Sequence, residues 1–169
     1  LEKRVYELPE GAVIDDFYVT TLADSVHIIP ITADKKIIMI RMYKPGSDEI
    51  MIQFPAGRYE PAKHGSRDKA AVDELAEETG IQATEAELVK LGELPIMTTK
   101  ATESAHVYVV QGVSLETAGE QQLDSTEEIE VLELSPEEID QMIISGEMCD
   151  AVAMADWTLL RLKHPEFLK

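Results

Sequence analysis

At 169 residues, with 44% hydrophobic and 5% aromatic content, the chain is long enough for one sizeable core and too short for two ordinary domains. A formal net charge of −18 speaks against duplex DNA or long RNA as a partner, because so acidic a surface repels a phosphate backbone. No apolar run approaches the roughly 20 residues of a membrane-spanning helix, Leu1-Glu2-Lys3-Arg4 lacks the apolar stretch of a secretory signal, and a single cysteine, Cys149, leaves no internal disulfide framework, so the expected setting is cytoplasmic.

The first third reads as strands. Asp16 to Leu22 is rich in β-branched and aromatic residues, and Val26 to Thr32 and Lys36 to Tyr43 flank the turn Ala33-Asp34-Lys35. Glu49 to Phe54 is a further strand, ended by Pro55-Ala56-Gly57. The spacing then predicts a helix from Ser66 to Thr79: Ser66 suits the N-cap, Ala70, Ala71, Leu75 and Ala76 form an apolar stripe, and Gly80 suits the left-handed residue after the last turn. Strands follow over Ala86 to Leu94 and Ala105 to Val110, with Pro95 to Ser104 as a long loop between them. A last strand covers Glu128 to Leu134. Ser135-Pro136-Glu137-Glu138 then starts a helix reaching about Ser145, with a serine cap, a proline in the first turn and a capping-box glutamate. A final helix spans Asp150 to Lys163 and carries Trp157, Leu159, Leu160 and Leu162. With no repeat or linker, this order implies one α/β domain over residues 1–169, a mixed sheet sandwiched between helices.

Within the first helix, Glu74 stands three and four residues before Glu77 and Glu78, which puts the three carboxylates on neighbouring faces. Like charges so placed destabilise a helix, and a bound cation removes that cost. Hard oxygen ligands suit Mg²⁺ or Mn²⁺, which are held by one or two carboxylates plus substrate phosphate oxygens. In isolation, in a chain this acidic, such a triplet reads better as a solvated helix face. The setting distinguishes this one, since the helix is preceded by Phe54-Pro55-Ala56-Gly57 and closed by Thr79-Gly80-Ile81.

These residues resemble the signature of the Nudix hydrolases, Gx(5)Ex(7)REUxEExGU, in which U is aliphatic. Asp73 to Ile81 matches its second half at every position but the first, and Gly57 stands for the leading glycine. Asp16 to Arg41, with Tyr43, resembles the N-terminal strands of the ADP-ribose-pyrophosphatase-like subgroup, and Leu123 to Val131 resembles its acidic loop and following strand. The resemblance implies a Nudix fold with a loop–helix–loop over residues 57–81. It implies metal ligation by Glu74, Glu78 and the Ala56 carbonyl, with Glu77 joining through metal or water and Glu127, beside Glu128, orienting or deprotonating the attacking water. Lys44 and Arg58 fall where substrate-binding cations are expected. The implied activity is Mg²⁺- or Mn²⁺-dependent hydrolysis of a small-molecule nucleoside diphosphate derivative, ADP-ribose or a similar nucleotide sugar, by a homodimer joined through N-terminal strands within residues 1–32.

The box also departs from the pattern. Gly57 to Glu74 is two residues longer than the signature, placing an insertion near Lys63-His64-Gly65. Lys63 or His64 stands for the first glutamate and Asp73 for the arginine. Ser125 falls where some relatives carry a carboxylate, and Thr98-Thr99 where ADP-ribose hydrolases carry a proline motif. Two readings of the reversed charges stand side by side. Either Lys63, Arg67 or Lys69 restores the missing positive charge, or the domain keeps the fold as a weakened nucleotide-binding or regulatory module. An acidic protein-interaction domain is a third reading and predicts neither metal nor nucleotide binding. His27 and His106 read as packed strand residues, and Cys149 has no thiol or base nearby.

Overall fold

The computed structural model describes residues 1–169. In chain order, β1 (Glu2–Glu7) and β2 (Val13–Val19) form a separate two-stranded hairpin, followed by β3 (Ser25–Thr32), β4 (Ile37–Lys44), β5 (Glu49–Gln53) and β6 (Ala56–Arg58). Two helices come next, α1 (Pro61–His64) and α2 (Arg67–Thr79), then β7 (Val89–Pro95), β8 (Ser104–Val113) and β9 (Ile129–Leu134). The chain closes with α3 (Pro136–Ser145) and α4 (Ala151–Lys163). No helix is long and apolar enough to cross a membrane.

The strand order β5-β4-β3-β8-β7 contains one parallel pair, β3 with β8, and is otherwise antiparallel. Central strands buried on both faces need continuous apolar runs, and Val26 to Ile31, Ile37 to Ile40 and Val107 to Val110 supply them. Alternation then sorts the side chains. Val26, Ile28, Ile38, Tyr108 and Val110 pack against Ala70, Ala71 and Leu75 of α2, while Ile29, Ile31, Met39, Val107 and Val109 pack against Ile139, Trp157 and Leu160 of α3 and α4. The layering is the expected α/β/α. Each large side chain buried in these layers contributes about 1.5–3 kcal/mol, and the Trp157 indole N–H donates to Asp140 at 2.9 Å.

One feature of the sheet creates the opening for a site. β3 and β4 are joined at a hairpin where Ile31 faces Ile37, then diverge. Further along, Ile40 is flanked by Gln53 and Val131, while Val26 is flanked by Gly57 and His106. The segment from Glu49 to Arg58 therefore runs first beside β4 as β5 and then beside β3 as β6. It crosses the wedge at Pro55, whose carbonyl accepts from the Ile28 N–H at 2.9 Å.

Several boundaries differ from the sequence reading. β1 was not anticipated, because Glu2–Glu7 is mostly charged and is held extended only by its partner β2. The strand expected over Asp16 to Leu22 lies at Val13–Val19; Thr20 instead bridges to Ala101, and its N–H donates to the Lys100 carbonyl at 2.7 Å. The Ala86 to Leu94 strand starts at Val89, since Thr84 and Glu87 form a capping box that winds Glu85–Glu87 into a 3₁₀ turn. The two added residues near Lys63 are absorbed by α1, whose proline start and Gly65 end explain its four-residue length.

Candidate active site

The buried stripe of α2 runs Ala71, Leu75, Glu78, so the helix that packs on the sheet must bury a carboxylate. Glu78 is only 6% exposed. Its Oε2 accepts from the Ala56 N–H at 2.8 Å, at the first residue of β6. Burial pushes its pKa up to about 8, with the Ala56 N–H and the Lys44 ammonium opposing and Glu74 and Glu127 adding to the rise. Glu74, one turn earlier, is pushed up to about 7 by burial and then by Glu77, while Lys63 opposes. Its carboxyl lies directly over Gly57: a Cβ built there would sit 2.0 Å from the Glu74 Cδ. The glycine of the box is thus needed for space, because its backbone is not in the left-handed region.

A cavity of about 390 Å³ opens between this helix, β6 and the end of β4. All seven candidate site residues line it, together with Gly57. Ala56, Gly57 and Arg58 come from β6, Lys44 from the end of β4, Glu74, Glu77 and Glu78 from α2, and Glu127 from the loop before β9. Lys44 is half-buried; burial lowers its pKa against the pull of Glu78, Asp150 and Glu127. Glu127 folds back on its own loop, accepting from the Asp124 N–H at 3.0 Å while its own N–H donates to the Asp124 carbonyl at 2.9 Å.

That loop is fastened to the carboxylate helix by the helix's own unsatisfied carbonyls. The Gly119 N–H donates to the Gly80 carbonyl at 2.8 Å, the Gln122 N–H to the Glu77 carbonyl at 2.8 Å, and the Gln121 Nε2 to the Glu78 carbonyl at 2.5 Å. Gly80 carries a left-handed φ of 75° and faces Gly119 so closely that a Cβ would meet its carbonyl oxygen at 2.1 Å. Sequence reasoning missed the loop's other cavity residues, Gln122 and Asp124, as well as Glu60 and Met42. Glu60 and Asp124 lie in connecting segments outside any helix or strand, where periodicity gives no signal.

The reversed charges of the box find partners. Lys69 pairs with Asp73 one turn along α2, and Lys63 reaches Glu77 at 3.3 Å. Burial works against the Lys63 ammonium, but Glu77, Glu74 and Asp73 outweigh it and raise its pKa. Arg67 serves elsewhere, pairing with Asp24 at 2.7 Å and lying over the Tyr59 ring. Two of the three cations considered from the sequence therefore sit on the box carboxylates.

The remaining polar residues lie outside the cavity. His27 contacts Asp156 at 2.8 Å and Ser25 at 3.2 Å, and the buried His106 contacts Asp24 at 3.2 Å. Cys149 is exposed. Between Pro95 and Ser104 the chain docks on the segment after β2, where the Thr102 N–H donates to the Thr20 carbonyl at 3.1 Å. Thr98 and Thr99 do not line the cavity.

No three His, Cys, Asp or Glu side chains converge as a ready-made cation cage. The donor set nevertheless suits Mg²⁺ or Mn²⁺: hard carboxylate oxygens from Glu74 and Glu78, their pKa values raised chiefly by burial, in an open cavity that leaves room for substrate oxygens.

Comparisons with known proteins bear on the family and the fold. The NUDIX domain model matches residues 21–155. An ADP-ribose pyrophosphatase of Bacillus subtilis is 29% identical over 140 residues, covering 83% of this chain and 73% of the relative. A methanol dehydrogenase activator of Bacillus methanolicus is 29% identical over 143 residues, covering 83% of this chain and 73% of the relative. Among solved structures, an ADP compounds hydrolase superposes with a TM-score of 0.76 at 22% identity, covering 96% of this chain and 84% of the other, which is a likeness of fold. With the family model spanning most of the chain and the box carboxylates gathered in one cavity, the protein belongs to the NUDIX domain family and is a Nudix hydrolase.

Proposed function

We propose that the protein hydrolyses a nucleoside diphosphate linked to a second group, with ADP-ribose or a similar nucleotide sugar as the leading substrate, giving a nucleoside monophosphate and a sugar phosphate. The observation that carries this reading is a run of three adjoining cavities. The carboxylate cavity shares Met42 and Glu127 with one of about 490 Å³ lined by Tyr43, Pro45 and Thr126, and shares Arg58 with another of about 390 Å³ lined by Leu22, Ser25 and Glu103. A charged centre with a groove on either side suits a molecule whose diphosphate lies in the middle and whose two bulky groups extend outward. The names of the Bacillus subtilis relative and of the ADP compounds hydrolase point to the same substrate class.

In this reading Glu74, Glu78 and the Ala56 carbonyl hold the divalent cation. When bound, Mg²⁺ or Mn²⁺ supplies electrostatic stabilisation of charge on the phosphate oxygens. Lys44 and Arg58 bind and orient the diphosphate from the β4 and β6 sides. Glu127 positions the attacking water or takes its proton, and Glu77 shares that task once freed from Lys63. The pairing of Lys69 with Asp73 supports compensation for the altered box over decay of the site.

A homodimer is part of the proposal. β1 and β2 form a two-stranded sheet, marginal alone, that leaves Val5, Val13 and Tyr18 exposed. A monomer by light scattering at micromolar concentration would count against it. The activity itself is tested by incubating the protein with nucleotide sugars, dinucleotides and nucleoside triphosphates in Mg²⁺ or Mn²⁺ and identifying products by chromatography. ADP-ribose is expected to yield AMP and ribose 5-phosphate. Binding without turnover across the panel would overturn the enzymatic reading in favour of a regulatory domain.

A further inference from the structure

The residue that breaks the box most visibly, Lys63, also has the most telling placement. It lies at the C-terminal end of α1 and lines the carboxylate cavity together with Glu74, Glu77 and Glu78. Its ammonium reaches Glu77 at 3.3 Å, with Glu74 and Asp73 as further electrostatic partners. Glu77 and Glu74 are two of the three carboxylates expected to meet the metal, so the cationic head occupies the field that a divalent ion would enter. Its side chain is 51% exposed and that of Glu77 38%, so the pair is solvent-screened, weak and free to open. By contrast Lys69, paired with Asp73, does not line the cavity, and Lys44 lines it from the end of β4.

We propose that Lys63 is a built-in competitor for the divalent cation: its ammonium stands in for the metal at Glu77 and Glu74 in the metal-free protein and swings to solvent when the metal enters. Resting on the metal-site reading above, this inference adds a specific consequence. The insertion that formed α1 and brought a lysine to the box makes metal binding an exchange of one cation for another. The protein then requires more free metal than the same site without the ammonium, and the metal-free site keeps part of its negative charge compensated.

The test is calorimetric titration of metal-free protein with Mn²⁺, comparing wild type, Lys63→Met and Lys63→Arg. Lys63→Met removes the competitor from an exposed position and should tighten Mn²⁺ binding by about two- to fivefold, the scale set by a weak exposed ion pair. Lys63→Arg keeps a charge and should stay near wild type. A second readout follows the exchange itself: amine acylation of Lys63, followed by mass spectrometry, should speed up on adding Mg²⁺ to wild type. Equal Mn²⁺ affinities in wild type and Lys63→Met, or weaker binding in the variant, would overturn the inference while leaving the metal site in place. No Mn²⁺ binding by either protein at millimolar concentration would overturn the metal-site reading itself.

Discussion

Replacing Gly57 by alanine separates the site from the fold. The added Cβ would stand 2.0 Å from the Glu74 Cδ and 2.1 and 2.2 Å from its two carboxyl oxygens. Carbon atoms settle near ~3.5 Å apart, so the carboxyl must retreat by more than about 1 Å. It can do so cheaply, because the obstacle is the far end of a flexible side chain. Gly57 lies in β6 without a left-handed φ, so alanine suits the backbone and restricts the unfolded chain, a gain of ~0.4–1 kcal/mol. A displacement of about 1 Å in a catalytic group costs ~100-fold in rate, close to 2.7 kcal/mol of barrier. The assay is kcat/KM for ADP-ribose with Mg²⁺ beside a thermal melt. Turnover should fall by about two orders of magnitude while the melting temperature holds or rises by ~1–4 °C. Activity within threefold of wild type would refute the placement of Glu74 at the reacting centre, and a melting temperature lowered by ~10 °C would refute the claim that this glycine serves space alone.

Gly80→Ala should behave oppositely. Its Cβ meets the Gly119 backbone at 2.1 Å from a left-handed φ of 75°, so we expect a loss of more than about 2 kcal/mol in urea unfolding; a loss under ~1 kcal/mol would contradict the close approach. The Glu78 carboxyl has a folded pKa near 8 against an ordinary 4.5, so the folded state holds its proton where the unfolded state has released it. Metal-free stability should therefore fall as pH rises from about 4.5 through about 8, by up to ~4–5 kcal/mol from this group, and Glu78→Gln should flatten the profile. Equal pH slopes in the two proteins would count against that burial. Lys44→Met removes the cation facing Glu78 and Glu127 and should raise KM for ADP-ribose about tenfold, ~1.4 kcal/mol, with a smaller change in kcat; an unchanged KM would argue that Lys44 does not touch the diphosphate.

Elements whose local chemistry is self-sufficient were legible from the chain alone. The capping Ser66, Gly80 and the apolar stripe define α2, the capping box at Ser135 starts α3, and the runs at Ile37 to Ile40 and Val107 to Val110 read as central strands. The spacing of Glu74, Glu77 and Glu78 after a strand, turn and glycine identified the box, and with it the residues that line one cavity. Features made by distant partners were not legible. β1 exists because β2 holds it, and Asp124 and Gln122 reach the cavity because the Gly119–Gln122 segment is fastened to the end of α2.

The sequence by itself determined the altered box, its carboxylates and the charge reversals at Lys63 and Asp73, because helical periodicity and motif spacing are properties of neighbouring residues. Helical periodicity also sets Lys69 one turn before Asp73, whereas only the tertiary structure put Lys63 on Glu77 and drew Arg67 away to Asp24. An ion pair between α1 and α2 depends on where the packed sheet holds the two helices, and the divergence of β3 from β4 that opens the cavity arises from strand pairing across the whole chain.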